Sequence, residues 1–201
     1  MNIELDQDLC TRYPKIFRDR YADMRTTAMC WGFECSDGWY NIINNLCANI
    51  QHHIDWSRRQ RATALRYNRA LKRAVNGDKE PLLAYYTFNK DKKNNKEWSE
   101  YAIQIVEQEV SKDVTQYRDV PLACPQVVAD QVKEKFGTLR FYYHGGNDYC
   151  RGLESMAASM SGVTCETCGN VGKLRQGGWI RTLCDTHANE QGYHDENQTS
   201  E

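Results

Sequence analysis

The sequence predicts an α+β protein: a long N-terminal amphipathic helix, a helical core with an antiparallel β-hairpin, and a C-terminal module of treble-clef or zinc-ribbon type. Three observations carry this. Apolar residues from Trp39 to Ile54 recur at helical spacing, side chains alternate on either side of Phe136-Gly137-Thr138, and Cys165, Cys168, Cys184 and His187 form a C-x2-C-x15-C-x2-H pattern. The chain has 201 residues, enough for one ordinary domain carrying a small appendage. The expected division is a core at 1–161, a structural zinc module packed on it at 162–188, and a disordered acidic tail at 189–201.

At the N-terminus, Pro14 interrupts any helix over residues 5–17, so short helical pieces or loop are expected. Ser36 and Asp37 are good N-cap residues ahead of Trp39, Ile42, Ile43, Leu46, Cys47, Ile50 and Ile54, whose spacing puts them on one helical face. The helix can run on to Gly77, with a kink or break near Ser57. Its second half should be more exposed, because the apolar stripe thins to Ala64, Leu65, Leu71, Ala74 and Val75. The aromatic run 82–88 reads as a strand, residues 89–96 as an exposed loop, and a helix is expected from about Asn95 with Trp98, Tyr101, Ala102, Ile105 and Val106 inward. Residues 127–135 and 139–144 then form the hairpin. A helix capped by Asn147 or Asp148 follows, buries Leu153, Met156, Ala157 and Met160, and stops at Gly162.

The pattern at Cys165, Cys168, Cys184 and His187 supplies four ligands in two close pairs, which suits tetrahedral Zn2+. The spacer has apolar arms around Gly177-Gly178, as a hairpin needs, and residues 185–189 can begin a helix bearing His187. A shell of four protein ligands leaves no position for water or substrate, so the zinc should be structural. The remaining cysteines are ordinary thiols on this reading, although Cys30, Cys35 and Cys47 with His52 or His53 can be drawn as a second metal site.

Net charge is −1, from 26 Lys and Arg against 27 Asp and Glu, which excludes a uniformly basic nucleic-acid binder. The charge is uneven. Arg58, Arg59, Arg61, Arg66, Arg69, Lys72 and Arg73 make one stretch strongly basic, and the open readings are phosphate contact, a helix face that is solvated or paired with the protein's own acids, and an acidic protein partner. Lys133, Lys135, Arg140, Tyr142, Tyr143 and His144 combine charge with aromatic faces, as single-strand binders do, yet solvent-facing strand residues also look this way. No stretch is long and apolar enough for a membrane span and the N-terminus does not resemble a signal peptide, so a cytoplasmic protein is expected.

No catalytic motif emerges. An HNH-type nuclease needs a general-base histidine, and none lies between Cys168 and Cys184. Phosphate loops, dinucleotide glycine patterns and nucleophile elbows are missing from the sequence.

Three blocks, CSDGWYNIINNLC (35–47), QVKEKFGTLRFYY (131–143) and GVTCETCGNVGKLRQGGWIRTLC (162–184), together resemble an uncharacterised family of small phage and prophage proteins. The resemblance implies a viral accessory protein of the host bacterial cytoplasm, acting in host takeover or counter-defence. With the motifs, it suggests a non-enzymatic protein that binds and inhibits or redirects a host bacterial protein. The alternatives are a nucleic-acid-binding protein or nuclease using the basic stretch, and a protein that sequesters a nucleotide signal, which would need a pocket ringed by Arg and aromatic groups.

Overall fold

The computed structural model describes residues 1–87 and 99–193, which include the 36-residue helix α2 (Tyr40–Val75). The residues expected to face inward, Trp39, Ile42, Ile43, Leu46, Cys47, Ile50 and Ile54, are all buried. Each large apolar side chain among them contributes about 1.5–3 kcal/mol relative to exposure. The start differs from expectation: a 3₁₀ turn, Asp37–Trp39, precedes the helix, and Ser36 makes no side-chain cap. Asp37 instead accepts from the backbone N–H (2.6 Å) and side-chain amide (2.8 Å) of Asn2. The helix runs unbroken past Ser57.

The chain divides into two compact units, Met1–Asp55 with Cys124–Glu201, and Trp56–Ala123. Residues 162–188, the expected zinc module, fall in the first.

In the first unit, α1 (Ile3–Arg12) is capped by Asn2, whose side chain accepts from the Leu5 N–H at 2.9 Å, and it ends before Pro14. Strands β1 (Phe33–Glu34), β2 (Val128–Lys135) and β3 (Thr138–His144) form one sheet in the order β1-β2-β3. The β2/β3 pair is the expected antiparallel hairpin, and β1 adds to β2 in parallel. Lys135 pairs with Thr138, leaving the two-residue turn Phe136-Gly137 with φ of 55° and 77°. Val132, Leu139 and Phe141 point into a core shared with Leu9, Ile16, Phe17 and α2. Phe17 meets the Phe33 ring edge-on at 4.9 Å.

Under α1, the Asp6 carboxylate takes Arg20 Nε at 3.0 and 3.1 Å and Nη2 at 3.0 Å, while Arg20 Nη1 donates to the Cys30 carbonyl at 2.8 Å. Gly32 closes over this pair with φ +82°. A Cβ there would lie 2.7 Å from Asp6 and 2.8 Å from Arg20.

Helix α5 (Asp148–Ser161) is capped by Asn147 as expected and buries Cys150, Ala157 and Ser161. Met156 and Met160, expected inside, are exposed, because the inner stripe runs through 150, 157 and 161. The unit ends in β4 (Lys173–Arg175), β5 (Arg181–Leu183) and α6 (Asp185–Glu190).

The second unit holds residues 56–75 of α2 with α3 (Glu80–Tyr86) and α4 (Glu100–Val110). The run expected as a strand from residue 82 is helix α3. Pro81 in its first turn presets the helical φ, and Leu82 is fully buried against the α2 face. That face is also richer than expected: Ala64, Tyr67, Ala70, Leu71 and Ala74 are buried, while Val75 is exposed. Ser99 caps α4 by accepting from the Ala102 N–H at 3.2 Å, and Ala102 and Val106 face inward while Tyr101 is exposed. The expected loop at 89–96, and Phe88, Asn95 and Trp98, lie outside the described residues. So do residues 194–201 of the expected tail; of its remainder, Asn189 and Glu190 finish α6, and the Tyr193 hydroxyl donates to the Trp179 carbonyl at 2.7 Å. Among the described residues, no helix is long and apolar enough to cross a membrane.

Candidate metal centre

Cys165, Cys168, Cys184 and His187 come together, each offering one ligand atom, all within 4.8 Å of one another. Among the described residues this is the one group of Cys, His, Asp and Glu side chains that could hold a metal ion. Cys30, Cys35 and Cys47 form no second cluster there. Cys35 and Cys47 are buried, and Cys30 Sγ lies 3.1 Å from the Thr27 carbonyl.

Local structure explains the convergence. Residues 165–169 form a knuckle closed by the Gly169 N–H to the Cys165 carbonyl (2.9 Å) and the Cys165 N–H to the Asn170 carbonyl (2.7 Å). The β4/β5 hairpin returns the chain to Cys184, which stands at the N-cap of α6, and His187 follows on that helix. Cys168 and Cys184 sulfurs are 3.8 Å apart, and His187 Nδ1 lies 3.6 Å from Cys165 Sγ and 3.1 Å from Cys184 Sγ. The other ring nitrogen of His187 is 3.8 Å from Glu190, a carboxylate placed to orient a ligand imidazole.

The electrostatics favour thiolate at Cys165, whereas desolvation and the neighbouring sulfurs of Cys165 and Cys184 raise Cys168. Burial pushes the Cys165 thiol up, but backbone N–H groups of Cys184, Cys168 and Thr167 outweigh it and bring the group down to about 6. The contrast with cysteines outside the cluster is large: burial, with Asp6 adding to it, lifts Cys10 to about 12, burial lifts Cys35 to about 12, and burial raises Cys47 well above the usual thiol value. Those thiols stay protonated at neutral pH and are poor nucleophiles.

Residues the motif does not contain hold the knuckle in place. Glu166, between the first two cysteines, is buried, accepts from Arg181 Nη2 at 2.8 Å and Nε at 3.0 Å, and accepts from the Ser36 N–H at 3.0 Å. Its carbonyl takes the Gly38 N–H at 2.8 Å, and Trp39 Nε1 donates to the Thr164 carbonyl at 2.8 Å. Gly38 must lack a side chain. A Cβ would meet the Cys165 carbonyl, sit 2.5 Å from Gly169 N and sit 2.6 Å from the Glu166 carbonyl. On the other side, the buried Thr182 hydroxyl donates to the Gly137 carbonyl at 2.6 Å, and Trp179 Nε1 donates to Glu134 at 3.0 Å. The segments 35–47, 131–143 and 162–184, far apart in sequence, therefore meet around the cysteine cluster.

The same contacts build a groove of about 590 Å³ lined by Lys133, Glu134, Lys135, Phe136 and residues 177–180. Phe136 and Trp179 stand 65% and 66% exposed in it, and Lys135 Nζ lies 5.4 Å over the Phe136 ring. Of the hairpin residues singled out in the sequence, Lys133 and Arg140 are cross-strand partners, and Lys133 lies 5.6 Å over the Tyr142 ring. His144 pairs with Asp130 at 2.9 Å. The basic residues 58–73 all lie on α2 in the second unit. Arg61 donates to the Pro121 carbonyl at 3.0 Å, Arg73 pairs with Asp78, and Arg58, Arg59, Arg66, Arg69 and Lys72 project from the surface.

Compared with protein-family models, with curated proteins and with solved structures, the chain shows no significant match to any of them.

Proposed function

We propose that this chain is a phage accessory protein of the bacterial cytoplasm. In this reading a structural zinc ion fixes the groove around Phe136 and Trp179, and the groove binds an acidic, apolar-tipped segment of a host protein without chemical change to it. The observation that carries the proposal is the backbone at Phe136. A bulky aromatic residue with φ 55° occupies a turn position that Asn or Gly fills without strain, and it is left 65% exposed. Such strain, typically about 1–3 kcal/mol, persists where a side chain is needed for something besides folding. Lys133 and Lys135 give the groove its positive rim, and Glu134 is engaged by Trp179 Nε1 and the Gly137 N–H, which leaves a surface suited to binding.

Zinc is supported by the cluster's dimensions. Zn–S bonds of about 2.3 Å and Zn–N bonds of about 2.0 Å imply tetrahedral edges of about 3.8 Å between sulfurs and about 3.5 Å from sulfur to nitrogen. The Cys168–Cys184 edge is 3.8 Å and the Cys165–His187 edge 3.6 Å, while the Cys184–His187 edge is shorter, at 3.1 Å. Four protein ligands complete the shell, which suits a structural role. The phage assignment is supported by the three sequence blocks that resemble phage and prophage proteins, since those blocks are the ones that meet at this site.

Phe136→Asn separates stability from function. Relieving the left-handed strain should raise stability by about 1 kcal/mol, while retention of the partner captured from bacterial lysate by the parent falls at least tenfold. Thermal unfolding and quantitative capture check the two halves. A variant that is more stable yet captures the same partner as well as the parent contradicts the assignment of the groove.

A further inference from the structure

The second unit carries a different surface. Over residues 56–123 there are 14 Lys and Arg against 9 Asp and Glu, a balance of +5, whereas the whole chain stands at −1. Within it, Arg66, Pro81, Ala84, Tyr85, Tyr86, Tyr101 and Arg118 line a cleft of about 610 Å³, within the range of small-molecule sites. We infer that this cleft binds a nucleoside phosphate, with the base among the tyrosine rings and the phosphates on Arg66 and Arg118.

Arg118 is the most constrained of these groups. Asn68 holds its backbone on both sides, accepting from its N–H and donating to its carbonyl, each at 2.8 Å. Its guanidinium lies 3.8 Å over the Tyr67 ring and 5.3 Å over the Tyr85 ring, and Nη1 donates to the Tyr85 hydroxyl at 2.7 Å. A cation fixed this way loses little freedom on meeting an anion, and stacking leaves the N–H groups not given to Tyr85 at its edge, where they can meet an anion. Tyr67 is buried and its hydroxyl donates to Glu109 at 3.1 Å, while Glu109 also receives Lys112 at 3.1 Å. Among the described residues neither Arg66 nor Arg118 forms an ion pair with a carboxylate, in contrast to Arg73 with Asp78.

The aromatic side is built as well. Tyr67, Tyr85 and Tyr86 pack edge-to-face in a cluster, with centroids 5.3 to 6.3 Å apart, which fixes Tyr85 and Tyr86, two of the three rings that line the cleft. Tyr101 stands 63% exposed at its edge, where a ring is available to stack on a base. Next to it, Arg69 and Arg73 line a smaller depression with Arg66 and Pro81, which extends the positive surface from the same helix. Aromatic faces beside two arginines match the two halves of a nucleotide; a free phosphate would use only one half, and an apolar ligand the other. This site lies in the second unit and does not depend on the groove proposed above.

Isothermal titration of the full-length protein with each of the four ribonucleoside diphosphates tests it, with adenosine, pyrophosphate and a single-stranded decanucleotide as controls. At least one diphosphate should bind more tightly than adenosine or pyrophosphate, weaken with added salt, and displace any bound oligonucleotide. Arg118→Gln and Arg66→Gln should each lower that affinity about tenfold or more, equivalent to ~1.4 kcal/mol, with far-UV circular dichroism unchanged. Arg66 is exposed, so its variant keeps the test valid if Arg118→Gln unfolds the unit. The proposal is overturned if none of the diphosphates binds at about 1 mM or if pyrophosphate binds as tightly as they do. It is equally overturned if Arg66→Gln binds like the parent, or if the oligonucleotide binds and is not displaced.

Discussion

Cys165→Ser is expected to release the metal and unravel residues 162–193, the largest single effect in the chain. Cys165 is fully buried, and its backbone environment lowers it to about 6 against the upward push of burial. A serine hydroxyl does not ionise near neutral pH and cannot replace the thiolate. The module has little core to fall back on, since its buried apolar cluster is Cys165, Leu183 and Ala188. Metal binding in such modules supplies roughly 10 kcal/mol or more of folding free energy at neutral pH. The loss should spread to the start of α2, because Glu166 and Thr164 bind Gly38 and Trp39. Cys168→Ser is the cleaner companion: Cys168 is exposed, so its loss removes a ligand with little loss of packing. Both variants should purify without stoichiometric metal, and amide exchange over 162–193 should approach the unprotected rate. A metal-free Cys168→Ser protein with parental protection over that segment contradicts this account.

The second large effect is expected at Asp6. The Asp6 and Arg20 side chains are 6% and 13% exposed, so removing the carboxylate leaves a nearly buried guanidinium without its counter-charge. Breaking such a pair costs about 3–5 kcal/mol. Arg20 would keep its bond to the Cys30 carbonyl but nothing to balance its charge. Asp6→Ala should therefore shift the unfolding transition of the first unit down by on the order of 10 °C. Adding Arg20→Met should recover most of the loss, since it removes the stranded charge as well. Urea unfolding of the single and double variants checks this, and a loss below about 1 kcal/mol for Asp6→Ala contradicts the buried-pair argument.

What could be read from the sequence follows from how local each signal is. The buried face from Trp39 to Ile54 was legible because seven apolar residues repeat at helical spacing, six of them on α2, and the Cys/His cluster that could hold a metal because each pair sits within one short segment. Helix α3 was not: seven residues, EPLLAYY, are too few to distinguish a helical from an extended period, although Pro81 at the first turn was the available signal. The second unit was hidden for a related reason. Its core is made by Tyr67, Ala70, Leu71 and Ala74 between arginines, so its apolar stripe is weak by composition. Met156 and Met160 looked internal because the stripe on α5 is carried by Cys150, Ala157 and Ser161, small residues that scarcely register as apolar.

The candidate site shows the same limit. Gly38 and Glu166 are 128 positions apart in the chain, and only the fold reveals that one must lack a side chain for the other to reach it. Phe136-Gly137 was legible as a turn, but its left-handed φ at Phe136 and its contact with Thr182 were not. The basic stretch was legible as charge. Its division into a paired Arg73, an anchored Arg61 and a cleft-facing Arg66 depends on partners elsewhere in the second unit.

The central claim is a closed metal shell of three cysteines and one histidine that holds the groove in place. X-ray absorption at the zinc edge of the purified protein tests it most directly. The account predicts three sulfur scatterers at about 2.3 Å and one nitrogen at about 2.0 Å, unchanged by chloride or by the captured partner. A shell containing oxygen, or one whose composition changes when the partner binds, contradicts it.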